Sequence, residues 1–242
     1  RTAPGKIIDM AKKKNVPIIF FNRELVEEDL ERWDKLYYVG ADAKESGVLQ
    51  GELAAAYLKA HPEADRNQDG VIQYVVLEGE AGHQDAILRT EYAASTLKER
   101  GIALEKLGYA LANWNRSQAQ TQVQQLLQSY GTRIELILAN NDDMALGALD
   151  AYRASNIPLP PIFGIDGTEP GLAAVRDKSL TGTVKNNGIG QAEAMLSLAL
   201  SLAAGEKSAY TLDRGKYIRI PYEAVSADKD SSITARSTEL SR

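Results

Sequence analysis

The sequence predicts an α/β protein built on parallel sheets, and three observations carry that prediction. Helical patterns alternate with short apolar runs along almost the whole chain, the signature of repeated βαβ units, and no internal repeat or low-complexity tract interrupts them. The 242 residues, 44% of them hydrophobic, are ample for the core of one large or two modest domains. Five of the apolar runs end in, or lead within a few residues to, Asn, Asp or His, and the carboxyl ends of strands in open α/β sheets border the ligand crevice.

Taken in order, Lys6 to Lys14 reads as a short helix and Val16 to Phe21 as a buried strand ending at Asn22. Tyr37 to Gly40 is a short strand before a long helix, Lys44 to Ala60. A polar loop, Asp65 to Gln73, runs into the strand Ile72 to Leu77, followed by the turn Gly79 to Gly82 and a helix from Asp85 to Arg100. Leu104 to Tyr109 is a weaker strand, and Arg116 to Tyr130 a Gln-rich helix with a solvated face. Ile134 to Ala139 is a clean apolar strand, and Asp142 is placed to cap the helix Met144 to Ala154. Strands Pro161 to Ile165 and Leu180 to Val184 flank the helix Leu172 to Asp177. An Ala- and Leu-rich helix, Gly190 to Ala204, precedes a last strand, Tyr217 to Ile220, and a polar tail.

Charge and composition exclude several functions. A net charge of −5 without clustered Lys and Arg argues against nucleic acid as a partner. With no cysteine there is no thiolate metal site, and with only His61 and His83 there is no histidine-rich zinc site. No apolar run approaches the length of a membrane span.

The loop Asp65 to Gln73 has the spacing of a calcium loop. Asp65, Asn67, Asp69 and Gln73 stand at relative positions 1, 3, 5 and 9, Gly70 at 6 permits the sharp turn, and Val71 at 7 needs to lend only its carbonyl. The bidentate glutamate of a helix-loop-helix site is missing, because position 12 is Val76 inside a strand. A hard cation would therefore need a carboxylate from elsewhere, and Glu135 is the candidate. The competing reading is an ordinary Asn/Asp/Gly turn.

At the strand ends, Asp and Asn side chains join Arg89, one helical turn beyond Asp85. Together they supply paired donors and acceptors for adjacent hydroxyls, and Trp114 can cover a C–H face. That combination suits a neutral polyol or sugar. Phosphate is disfavoured, since Asp85, Asp142 and Asp166 would repel it. Bland readings compete here too: Trp114 as core, His83 as a capping residue, Asp142 and Asp143 as helix caps. A hydrolase could be drawn around His83, Asp85 and Arg89, but no serine or cysteine nucleophile accompanies them in a recognisable motif.

Four segments, Asp65 to Gln73, Gly79-Glu80-Ala81-Gly82-His83-Gln84-Asp85 with Arg89, Ile134 to Ala145, and Phe163-Gly164-Ile165-Asp166, together resemble the bacterial periplasmic galactose/glucose-binding proteins. The resemblance implies a type I periplasmic binding protein fold, with two Rossmann-like lobes on parallel sheets. It implies a non-enzymatic receptor that closes over glucose or galactose and presents it to an ABC-type transporter or a chemoreceptor. Its location would be periplasmic or extracytoplasmic, with lipid anchoring left open. Carried over by motif, His83, Asp85, Arg89, Trp114, Asn141, Asp166 and Asn186 would contact the sugar. Structural Ca2+ would sit on Asp65, Asn67, Asp69, Val71, Gln73 and Glu135. The alternative receptor reading is the sugar-sensing core of a transcription regulator.

The resemblance also implies that the first lobe is incomplete. Residues 1–21 and 188–219 match a remnant of the amino-terminal lobe, and 22–187 with 220–242 match the carboxy-terminal lobe. The chain is expected to be either a fragment or a circular permutation of its parent, with the opening at Arg1 not the native start. Asn187 and Gly188 stand where a hinge is expected.

Overall fold

The computed structural model describes residues 4–227. Along the chain run α1 (Gly5–Lys14), β1 (Ile18–Phe21), α2 (Glu27–Leu30), β2 (Leu36–Gly40), α3 (Ala43–Ala60), β3 (Ile72–Glu78), α4 (Gln84–Glu99), β4 (Leu104–Leu111) and α5 (Arg116–Tyr130). There follow β5 (Leu136–Ala139), α6 (Asp142–Ser155), β6 (Ile162–Asp166), α7 (Glu169–Arg176), β7 (Gly182–Lys185), α8 (Gly188–Ala204), β8 (Tyr217–Arg219) and β9 (Glu223–Ser226). Every predicted helix and strand is present, with ends shifted by a few residues. Among these helices and strands, the one-turn α2 and the strand β9 were not foreseen; β9 lies in what reads as a polar tail.

The chain divides into two compact units, 1–42 with 187–221, and 43–186 with 222–242. The predicted division after residue 21 is thereby corrected. β2 pairs in parallel with β1 on one side and with β8 on the other, so residues 22–42 belong to the first unit. The share of the predicted second lobe beyond residue 227 lies outside the described residues.

In the first unit, the three-stranded parallel sheet β1-β2-β8 separates two small apolar clusters. Strand alternation sends Leu36 and Tyr38 toward Ile8, Leu30 and Tyr217, and sends Val39 toward Ala194, Leu198 and Ile218. Other apolar residues of these elements stay exposed: Ile7 and Met10 on α1, Phe21 on β1, and Ile189, Leu196 and Leu200 on α8.

The second unit carries a six-stranded sheet in the order β4-β3-β5-β6-β7-β9. Its strands are parallel except β9, which runs antiparallel to β7 at the edge. Residues Ile72 to Leu77 of β3 and all four residues of β5 are buried, as expected of central parallel strands covered on both faces. The main apolar cluster joins β3 and β5 residues such as Val75, Leu77 and Ile137 to Ala119 and Val123 of α5 and to Met144, Ala148 and Tyr152 of α6. The α6 start differs from expectation. Asn141, not Asp142, is the N-cap, its Oδ1 accepting from the Met144 N–H at 2.9 Å, while Asp142 occupies the first turn and is fully buried.

Candidate functional site

The six-stranded unit brings the predicted polar residues to the carboxyl ends of its parallel strands. His83 and Asp85 follow β3, Trp114 follows β4, Asn140 and Asn141 follow β5, Asp166 ends β6, and Asn186 follows β7. Arg89 reaches the group from the second turn of α4.

Arg89 is only 5% exposed. Its Nη1 donates to the Asn140 carbonyl at 2.7 Å and to Asp166 Oδ1 at 3.3 Å, and its Nη2 donates to the Tyr222 hydroxyl at 3.2 Å. Asp85 lies one turn earlier, with Oδ2 3.9 Å from Nη2. Burial works against the guanidinium charge, but Tyr222, Asp166 and Asp85 outweigh it and hold the Arg89 pKa above its ordinary value. Burial likewise raises the Tyr222 hydroxyl, with Arg89 pulling it down.

His83 caps α4, its Nδ1 accepting from the Asp85 N–H at 3.1 Å. The capping reading is thus realised. It assigns the proton of the neutral ring to Nε2, which makes that nitrogen a donor. The ring meets Trp114 edge to face, with centroids 5.2 Å apart and planes at 77°. Trp114 also lies 5.8 Å from the Arg89 guanidinium and packs on the main apolar cluster, so it faces both core and site.

The chain bends sharply to place this indole. Asn113 and Trp114 have φ of 49° and 62°, a left-handed conformation that a bulky residue adopts only when its surroundings enforce it. Gly79 provides the space: a Cβ there would stand 2.2 Å from the indole ring.

Asp166 has φ of 113°, another strained position. Burial pushes its carboxyl up to about 6; Arg89 pulls it down, and the charge of Asp142 pushes it up further. Its side chain keeps 31% exposure, so the group still meets solvent. The Asn186 N–H donates to the Asp166 carbonyl at 2.8 Å, which joins these two sequence candidates through the backbone. Asn141 is 8% exposed and uses its amide for the α6 cap and for a bond from Nδ2 to the Trp114 carbonyl at 3.3 Å.

Tyr222 and Gln50 escaped the sequence reading, and Asn140, though expected at the strand ends, was not among the sugar contacts. Asn140 is buried and central: it accepts from Arg89 at its carbonyl and from the Gly79 N–H at Oδ1, and donates from Nδ2 to Thr90 Oγ1 at 3.1 Å. Its signal was the Asn-Asn-Asp run, from which only the second Asn was chosen. Tyr222 is a buried aromatic in the apparent tail. Gln50 of α3 sends Nε2 to the carbonyls of Ala139, Phe163 and Gly164, closing the ends of β5 and β6 beneath the site.

The loop Asp65 to Gln73 is tied by hydrogen bonds to Glu135, the residue before β5. Glu135, 1% exposed, accepts from the Arg66, Asn67 and Gln73 N–H groups at 2.7, 3.3 and 3.0 Å. Within the loop, Asn67 Nδ2 donates to Asp69 Oδ2 and Gln73 Oε1, and Gln73 Nε2 donates to the same Asp69 oxygen. Asp65 Oδ2 accepts from Gly70 N–H, while its buried Oδ1 has no hydrogen-bond partner. An all-oxygen donor set with one orphaned buried carboxylate oxygen fits a hard cation such as Ca2+. Among the described residues no three His, Cys, Asp or Glu side chains converge on one point, so such an ion would depend on the amide and carbonyl oxygens as well.

Fold and strand-end cluster together define an α/β solute-binding protein. The periplasmic binding protein domain matches residues 1–207, and the chain belongs to that family. It is 40% identical over 233 residues to the D-galactose/methyl-galactoside binding periplasmic protein MglB of Haemophilus influenzae, covering 95% of this chain and 70% of that protein. The xylitol-binding protein of Mycolicibacterium smegmatis is 31% identical, and the match spans 84% of this chain and 53% of that relative. Among solved structures, an ABC transporter solute binding protein from Bacillus halodurans C-125 with bound myo-inositol superposes with a TM-score of 0.75 at 30% identity, covering 93% of this chain and 71% of that one. The fold is the type I periplasmic binding protein fold with one lobe incomplete, and the protein is a non-enzymatic receptor of the periplasmic kind.

Proposed function

We propose that the protein is a receptor for a hexose, galactose or glucose, which it delivers to an ABC-type membrane transporter. The observation that carries this reading is the Arg89 fork, held by Asn140 and Tyr222 between the carboxylates of Asp85 and Asp166 and beside the indole of Trp114. A guanidinium donates while flanking carboxylates accept, which is the pairing adjacent hydroxyls require. His83 adds a donor at Nε2 and the indole an apolar face. Two carboxylates against one guanidinium leave the cluster unsuited to an anion.

Galactose leads because MglB, named for it, shares 40% identity. The relatives named for xylitol and crystallised with myo-inositol bind other polyols, and adjacent hydroxyls are the common chemistry. In this reading Asp65, Asn67, Asp69, Gln73, Glu135 and the Val71 carbonyl hold a structural Ca2+, which supplies charge to tie the entry of β3 to the start of β5 without touching the sugar. Titration calorimetry of the full-length protein with both hexoses and with xylitol tests it: saturable heat largest for a hexose is expected, and heat for xylitol alone would replace the hexose assignment.

A further inference from the structure

We propose that Asp142 is a positioning residue, which fixes the turn after β6 and so sets the strained backbone from which Asp166 meets the ligand. The inference rests on the reading of the strand-end cluster as a hexose site.

Asp142 is fully buried in the first turn of α6, and among the described residues no ion pair neutralises it. Hydrogen bonds from three donors serve instead. Thr183 Oγ1 of β7 donates to Oδ1 at 2.5 Å, and the Thr168 N–H and hydroxyl donate to Oδ2 at 2.7 and 3.2 Å. The amino-terminal end of α6 adds a favourable field. Two glycines keep the space clear: a Cβ on Gly164 of β6 would lie 2.2 Å from Oδ1, and one on Gly171 of α7 would lie 2.2 Å from Oδ2. One carboxylate is therefore the meeting point of α6, β6, β7 and α7. A buried charge is costly, and its retention here calls for a role beyond filling space.

The role follows from what Thr168 adjoins. Asp166 and Gly167 have φ of 113° and 65°, and strained backbone persists only where its flanks are over-determined. Before the bend, the β6–β7 ladder and the Asn186 N–H on the Asp166 carbonyl fix the chain. After it, Asp142 fixes Thr168 twice, and Thr168 caps α7 by accepting from the Gly171 N–H at 3.2 Å. Remove the Asp142 charge and the second anchor is lost; the Asp166 carboxyl, relieved of a neighbouring negative charge, then ionises more readily, so a loss of affinity cannot come from its own protonation.

The test is a double-mutant cycle on hexose affinity, with calorimetry and thermal unfolding on the full-length protein. Asp142→Asn keeps the shape and removes the charge; Gly171→Ala keeps the charge and displaces it, in a helix that otherwise tolerates alanine. Each variant is expected to weaken hexose binding about tenfold with Asp166 present, and to add no further loss in an Asp166→Asn background. Wild-type affinity in either folded variant, or equal losses in both backgrounds, would overturn the inference. A wild-type protein that binds neither hexose overturns the functional reading, and this inference with it.

Discussion

Arg89 Nη1 donates to the backbone carbonyl of Asn140 at 2.7 Å, so the charged group of α4 is anchored to the end of β5 independently of any ligand. This bond fixes one arm of a planar fork whose other arm holds Tyr222. Lysine cannot reproduce the fork. Arg89→Lys is expected to weaken hexose binding about a hundredfold and to lower stability by roughly 1–3 kcal/mol, as the Asn140 carbonyl or Tyr222 loses its donor. Calorimetry and urea unfolding measure both; unchanged affinity would remove Arg89 from the site.

Gly79 faces the Trp114 indole at a distance where a Cβ would overlap the ring by more than an ångström of normal contact. Gly79→Ala is therefore expected to displace the indole, costing about 1–3 kcal/mol of stability by overpacking. Tryptophan emission should shift and hexose affinity fall. An unshifted spectrum with full affinity would show that the indole has room the packing denies.

The Asp166 carboxyl titrates at about 6, above the ordinary 3.8, chiefly through burial. The folded state therefore holds its proton more tightly than the unfolded chain. The stability this contributes is complete below about pH 4 and is lost as pH rises through about 6. Asp166→Asn should flatten that stretch of the stability profile. Hexose affinity should move the other way, falling as pH drops from about 7 to 5, because protonation turns one acceptor site of the carboxylate into a donor and removes the charge that strengthens the others. A pH-independent affinity across that range would exclude Asp166 as an acceptor.

Asp85 and the Asp65 to Gln73 loop serve separate sites in this account. Asp85→Ala should abolish hexose binding and leave calcium binding intact. Chelation should lower the unfolding temperature of the wild type with little change in sugar affinity, and Glu135→Gln should reproduce that loss. If the wild-type unfolding temperature ignores chelator and added Ca2+, the loop is a plain turn closed by Glu135 alone.

Much of the fold was legible because its strong signals are local. The central strands β3 and β5 are short, unbroken apolar runs, and α5 was bounded correctly by Asn115 and Gly131. What escaped depends on partners distant in sequence. Nothing in Tyr37 to Gly40 says that β2 pairs with β1 and β8, so the boundary between units was placed about twenty residues early. β9 is a four-residue edge strand with no buried residue, and its pattern does not stand out from a tail. The site shows the same division. His83, Asp85 and Arg89 sit at helix-start spacings visible in sequence, and Asn140 in an Asn-Asn-Asp run, whereas Tyr222 and the buried role of Asp142 arise only when β6, β7 and the post-β8 segment come together.

On this reading Arg89, Asp85, Asp166 and Trp114 form a hexose site without catalysis. Titration calorimetry of the full-length protein with D-galactose and D-glucose, with the sugar recovered and analysed afterwards, tests it most directly. Saturable, one-site heat that disappears in Asp85→Ala, with the sugar recovered unchanged, is expected; absence of heat with both hexoses, or a chemically altered sugar, would rule out a non-catalytic hexose site.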